Sequence, residues 1–188
     1  MQTLDSPSVP VAAHRAPFDG RLFRRVLGLF PTGVTIVTTW DADGQPVGAT
    51  VSSFNSVSLD PPLVLFSLAR NMACCEAFAA GGPLAIHVLG EAQEDLSNRF
   101  ARGGADKWAD LAYGAGEHGA PLLDGTLATF ECRPYAQYPG GDHTIFVGEV
   151  LRCGHRQGLS PLLYHGGMFY TEHPLGRLSP KAAGPMGK

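Results

Sequence analysis

Long apolar runs are missing from this chain of 188 residues. None approaches the roughly 20 residues needed to cross a bilayer, and the opening MQTLDSPSVPVAAHRAP lacks the basic-then-apolar order of a signal peptide. The expectation is a soluble cytoplasmic protein with no membrane partner. An excess of positive charge is missing too: Lys and Arg number 14 against 17 Asp and Glu, so 14 − 17 = −3. Nothing there favours a polyanion, and nucleic acid is not an expected partner. Cysteine is scarce, and Cys74, Cys75, Cys132 and Cys153 include no pair at the spacing of a zinc knuckle. The adjacency of Cys74 and Cys75 suits neither a shared metal nor an ordinary disulfide, so the cysteines read as small buried or half-buried residues. No Gly-x-Gly-x-x-Gly follows a strand, and no Walker sequence or His-Glu-x-x-His occurs. The histidines other than His143 show no metal-ligand spacing, and His87, between Ile86 and Val88, reads as a packing or hydrogen-bonding residue of a strand. No metal site is expected.

Glycine (24) and proline (15) are plentiful instead, which favours many short strands and turns within one domain. Prolines among small residues mark residues 1–17 as a loose arm. Phe18 to Phe30 repeats apolar residues at spacings of three and four, with Asp19 as N-cap, Arg21, Arg24 and Arg25 toward solvent, and Pro31 as terminator. Gly33 to Trp40 is a β-branched strand followed by the turn signal Asp41–Gly44. Met72 to Ala80 reads as a short helix capped by Asn71, Leu84 to Leu89 as a strand, and Glu91 to Arg102 as an amphipathic helix. Gly103 to Pro121 reads as a long irregular excursion anchored by Lys107-Trp108. Leu127 to Tyr135 and His143 to Leu151 are strands of a hairpin turning over Tyr138–Asp142, and Leu162 to Tyr170 adds a short final strand. Residues 174–188, poor in apolar content, are expected to be a disordered tail. Residues 18–173 are then a mainly β domain with flanking helices, of six or seven strands in a small closed or partly closed barrel.

Gly48 to Asn71 concentrates the polar groups. Ala49 and Val51 alternate with Thr50 and Ser52 as in a half-buried strand, Ser53, Asn55, Ser56 and Ser58 crowd a polar turn, and Leu63 to Leu68 is a buried strand. Such donors grip a flat heterocycle rich in acceptors, or a phosphate, unless they only satisfy a turn. Two further elements attract attention. His143 follows Gly-Gly-Asp at the mouth of a strand, where Asp142 can orient the imidazole. Arg70, Arg99 and Arg102 are the cations nearest the polar stretches, suited to a phosphate.

Taken together, FPTGVTIVTT (Phe30 to Thr39), GATVSSFNSVSLDPPLVLFSL (Gly48 to Leu68), GDHTIFVGEV (Gly141 to Val150) and LLYHGGMFY (Leu162 to Tyr170) resemble the short-chain flavin reductases. These are reductase partners of two-component flavin-dependent monooxygenases. The resemblance runs from about Phe18 to Tyr170 and implies a flavin-binding split β-barrel working as a homodimer. It implies that NADH or NADPH reduces FMN or FAD, and that reduced flavin reaches a separate monooxygenase by diffusion. It assigns Thr50, Val51, Ser52 and Ser53 to the isoalloxazine edge, with Pro31, Thr32, Gly33 and Val34 at the neighbouring strand entry. Ser67, Arg70 and Asn71 fall at the ribityl phosphate, and Arg99 with Phe100 on the helix approaching the nucleotide end. His143 matches the histidine near the nicotinamide, with a positioning or proton-supplying role, and Tyr170 the aromatic close to it. Because hydride passes directly between the two rings, no nucleophile is needed.

Two other readings fit the architecture. A flavin- or haem-binding module would need no nicotinamide site, and the Gly-Asp-His turn argues against it. An oxidase of the pyridoxamine-phosphate type would need a basic cluster where only scattered arginines stand.

Overall fold

The structure, a computed structural model, describes residues 18–104 and 107–173. The arm expected over 1–17 and the tail expected over 174–188 lie outside the described residues. The first element is α1 (Gly20–Leu27). The Asp19 carboxylate caps it, accepting from the backbone N–H of Arg21 at 2.9 Å and of Leu22 at 3.1 Å, which satisfies donors that an open helix end leaves orphaned. Next come β1 (Thr32–Gly33), β2 (Thr35–Trp40) and β3 (Pro46–Val51). Asp41 builds the β2–β3 turn with its own side chain, accepting from Asp43 N at 3.0 Å and Gln45 N at 2.8 Å.

Beyond β3 the structure corrects the sequence reading. The supposed polar turn is largely a strand: β4 (Asn55–Leu59) pairs antiparallel with β5 (Pro62–Ala69), and the chain reverses at Asp60–Pro61, a cis peptide. As a sheet edge with one partner, β4 tolerates polar side chains on a surface that water still reaches. Asn71 caps no helix, because α2 is only Cys75–Ala79 and its N-cap position is Cys74. After β6 (Leu84–Val88), a 3₁₀ turn (Glu91–Gln93) leads into α3 (Glu94–Ala101).

The excursion from Gly103 to Pro121 is not wholly irregular: β7 (Tyr113–Ala115) pairs with β8 (Pro121–Leu123). Strands β9 (Ala128–Gly140) and β10 (His143–His155) outrun the expected hairpin, at 13 residues each. The turn between them shrinks to Gly141–Asp142, with Gly141 at φ +72°, a conformation glycine adopts without steric cost. The expected single final strand is a hairpin, β11 (Leu163–His165) and β12 (Met168–Tyr170), which joins β1 in a small sheet.

Seven strands form one antiparallel sheet in the order β3-β2-β6-β9-β10-β5-β4. Ala49 and Val51 from one end share a buried cluster with Val64, Phe66 and Leu68 from near the other, around Val37, Ile86 and Phe146. Ends of a flat sheet never meet, so this sheet is rolled around its core. Phe78 of α2 enters the same core, its ring centroid 5.4 Å from that of Phe66. The roll stays open, since β3 and β4 end the strand order and no ladder joins them. Alternate residues face the other way: Val34 and Ile36 meet Leu89, Phe100, Leu123 and Leu162 in a second cluster.

His87 is fully buried, as its alternation implies, with Nε2 3.1 Å from the Thr38 hydroxyl. Helix α1, in contrast, buries none of its residues among the described residues: Phe18 is 67% exposed and Phe30 just after the helix 73%. Cys74, Cys75 and Cys132 are buried and Cys153 is exposed.

Candidate functional site

The polar residues of the opening stretch are organised by the seam of the rolled sheet. On one side, Val51 pairs with Thr35, whose hydroxyl donates to the Val51 carbonyl at 3.0 Å. Two residues on, the Ser53 hydroxyl accepts from Ser67 N at 2.9 Å and donates to Ser67 O at 3.2 Å. One side chain thereby replaces a ladder rung and pins the β3–β4 corner to β5. Further along β5, Ala69 pairs with His143, and Arg70 N donates to the Asp142 carbonyl at 3.0 Å. Thr35, Val51, Ser53, Ser67, Arg70 and His143 are thereby linked in order along the seam, by backbone pairs at either end and by the Ser53 hydroxyl between them, with Val34 next to Thr35.

The expected ligand-binding side chains differ in what they have left to offer. The Thr50 hydroxyl is committed to Ser97 O of α3 at 2.7 Å, and that of Ser53 to Ser67. Val34, Val51 and Phe100, at 3%, 8% and 0% exposure, present little or no side chain. Phe100, expected at the nucleotide end, is in fact a packing residue: a Cβ on Gly48 would come within 3.1 Å of its ring. Arg99 reaches the Ala109 carbonyl and ties α3 to the following loop. Ser52, Arg70 and Asn71 are exposed, and Ser67 is half-buried. Pro31 and Gly33 are exposed and Thr32 is half-buried; Gly33 pairs with Leu163, which pairs with Tyr170, so the small sheet sets Tyr170 two strands from that entry.

At the His143 end, Nδ1 lies 2.6 Å from Asp142 Oδ1. That hydrogen bond holds the Asp142 carboxyl below its ordinary range, aided by the charges of His143 and of Arg24 on α1. With Nδ1 engaged, Nε2 is the nitrogen left for a ligand.

Beside this seam lies a cavity of about 840 Å³, bounded by the β2–β3 turn, the start of α2 and the end of α3. Asn71 lines it, together with Gly48, Cys74, Arg102 and Lys107. Of these, Lys107 is expected from the sequence only as an anchor, and its Nζ donates to Phe100 O at 3.0 Å and to Gly48 O at 3.3 Å. The lone lysine beside a tryptophan in a Gly-rich stretch was the available signal, and it pointed only to an anchor. A second cavity, about 620 Å³, lies under the β7–β8 hairpin and contains no sequence-predicted site residue. His143 lines neither cavity.

Residues 27–173 match the family described as Flavin reductase like domain. The chain belongs to that family. It is 51% identical over 151 residues to the FMN reductase (NADH) SmoA of Agrobacterium fabrum, covering 80% of this chain and 85% of that protein. It is 42% identical over 151 residues to the reductase component of the flavin-dependent trigonelline monooxygenase of Acinetobacter baylyi, covering 80% of this chain but only 48% of that relative. Among solved structures, the Streptomyces globisporus NADH:FAD oxidoreductase SgcE6, in complex with NAD and FAD fragments, aligns with a TM-score of 0.77 at 38% identity, covering 91% of this chain and 99% of that one. The rolled, open sheet is accordingly the split barrel of the flavin reductases, as the sequence blocks imply.

Proposed function

We propose that this chain is an NAD(P)H-dependent flavin reductase that reduces FMN or FAD and supplies reduced flavin to a separate monooxygenase. The observation that carries this is the seam itself. Backbone and exposed polar groups run from Val34 past Ser53 and Ser67 to His143, beside a cavity of about 840 Å³, within the range of small-molecule sites.

A flavin fits these residues. The backbone of Thr50 to Ser53 and the Ser52 hydroxyl would hold the ring edge, where donors would favour the charge that reduction adds. Pro31 to Val34 form the adjoining wall, Ser67, Arg70 and Asn71 serve the phosphate, and Arg99 holds the α3 end through Ala109. Thr50, Ser53 and Phe100 act from beneath, fixing the strands whose backbone does the binding. When bound, a flavin would supply the redox chemistry, with the nicotinamide as hydride donor. The protein's share is to stack and orient the two rings and exclude water. His143, oriented by Asp142, positions the nicotinamide or supplies a proton, and Tyr170 neighbours it.

The protein acts as a homodimer in the cytoplasm, and reduced flavin reaches the monooxygenase by diffusion. The uncovered apolar side chains around α1 support a second copy of the chain as their cover.

The test mixes purified protein with NADH or NADPH, alone and with FMN, FAD or riboflavin, and follows loss of nicotinamide absorbance. Oxidation dependent on added flavin is expected; none with any combination rejects the reading.

A further inference from the structure

The second cavity, of about 620 Å³, lies under the β7–β8 hairpin, at the opposite end of β10 from His143. Its floor is the face of β9 that looks away from the core. Phe130 and Cys132 pack against the inner cluster, so Glu131 between them points the other way and lines the cavity. Glu131 is buried, at 4% exposure. Its Oε2 accepts from the backbone N–H of His118 at 2.9 Å, and Oε1 has no hydrogen bond to any described residue. The hairpin closes tightly over this carboxylate, because a Cβ on Gly116 would stand 2.7 Å from Glu131 Cδ.

The other charges around the cavity neutralise one another. Arg152 pairs with Glu117 and Arg156 with Asp124, all four at least half exposed at the rim, and His155 is exposed there too. Arg152 stands opposite Glu131 in the β9–β10 ladder, yet its guanidinium is engaged by Glu117. Solvent screens the rim pairs, whereas Glu131 is shielded from water and met by one amide. A buried carboxylate with a free oxygen is unfavourable until a donor reaches it. Leu122 and Tyr113 of the hairpin add apolar wall. The hairpin is fixed independently of any ligand: the Trp40 indole N–H donates to Gly119 O at 2.6 Å, and the Trp108 ring centroid lies 5.0 Å from that of Tyr113. Such a cavity is preorganised and of a size that small molecules occupy.

We propose that the cavity under the β7–β8 hairpin is a second small-molecule site, taking an organic cation onto Glu131 Oε1. The ligand class is a primary ammonium or guanidinium on a short apolar body, since Oε1 needs an N–H donor and the walls offer apolar contact. None of the flavin-seam residues lines this cavity, so the two sites are separate.

The test uses benzylamine as probe and benzyl alcohol as its uncharged counterpart, with binding followed by calorimetry and by the backbone amide resonances of the protein, in the absence and presence of FMN. Wild type should bind benzylamine about tenfold to a hundredfold more tightly than benzyl alcohol, the worth of one charge-assisted hydrogen bond. The His118 amide resonance should shift on binding, and FMN should not displace the amine. Glu131→Gln keeps an acceptor for the His118 N–H but removes the charge, and should bring benzylamine down to the affinity of benzyl alcohol. Equal affinities in wild type, displacement by FMN, or an undiminished preference in Glu131→Gln overturns the proposal. If Glu131→Gln does not fold, the wild-type pair and the resonances decide: a preference for the amine without a shift at His118 places it elsewhere and equally overturns the site. Each of these failures leaves flavin-dependent NADH oxidation intact, whereas failure of the reductase reading abolishes that oxidation and leaves amine binding unchanged.

Discussion

Ser53 shows how a residue can serve a site without touching its ligand. Its hydroxyl both accepts from and donates to Ser67, so Ser53→Ala leaves one amide and one carbonyl unpaired beside a half-buried strand. A loss of about 1–3 kcal/mol is expected, read as a lowered denaturant midpoint, with flavin affinity weakened as the corner loosens. Gly48 is constrained by approach: a Cβ there would stand 2.7 Å from Val37 O, and Gly48→Ala should cost about 1–3 kcal/mol through overpacking. A melting temperature equal to wild type would contradict that. His143 is a different case, being half-buried with its imidazole hydrogen-bonded to the exposed Asp142. His143→Ala should raise the KM for NADH while leaving the flavin dissociation constant unchanged, and unaltered steady-state NADH parameters would remove its assigned role. The Gly-Asp-His signal was legible because a two-residue turn demands such residues. The bonds of Lys107 to Gly48 O and Phe100 O were not, because they exist only once β3 and the end of α3 have met.

At the scale of elements, β6 carries a pH dependence. The Thr38 hydroxyl donates to Pro121 O at 2.6 Å, so toward His87 it acts as acceptor, and the imidazole carries its proton on Nε2. His87 Nδ1 is then buried without a partner, and a second proton there would have no acceptor. Burial accordingly depresses the His87 pKa from 6.5 to about 4. Between those values the unfolded chain takes up a proton that the folded chain resists, so stability is full above pH 6.5 and falls as pH drops toward 4. The loss approaches about 3 kcal/mol. Urea midpoints between pH 7 and pH 4.5 should show that decline, and His87→Gln should flatten it. Elements differed in how plainly the sequence announced them. The Asp19 cap and the apolar run of β5 were readable from local rules. Strand β4 was not, because serines and asparagine on an edge strand look like a turn, and β9 ran longer than expected because Pro139 followed by two glycines resembles a turn.

For the whole molecule, alternation predicted strands but not the roll, which depends on Val51 meeting Val64 and Phe66 across the seam. Contacts so distant in sequence leave no periodic trace, and only the combination of sequence blocks carried the fold. Helix α1 was legible as amphipathic, yet its apolar side finds no cover among the described residues. Leu27→Glu should convert a dimer to monomers in sedimentation, and a dimer that persists would move the interface elsewhere. Helix α1 also places Arg24 near Asp142 and, through Gly28 O accepting from Gly166 N at 2.8 Å, braces the β11–β12 turn. If its cover is a second copy, the geometry around His143 and Tyr170 becomes subject to mass action. Turnover per chain should then hold steady in concentrated samples and fade as the enzyme is diluted through its association constant, so that a cell making too little of this reductase loses activity faster than it loses protein.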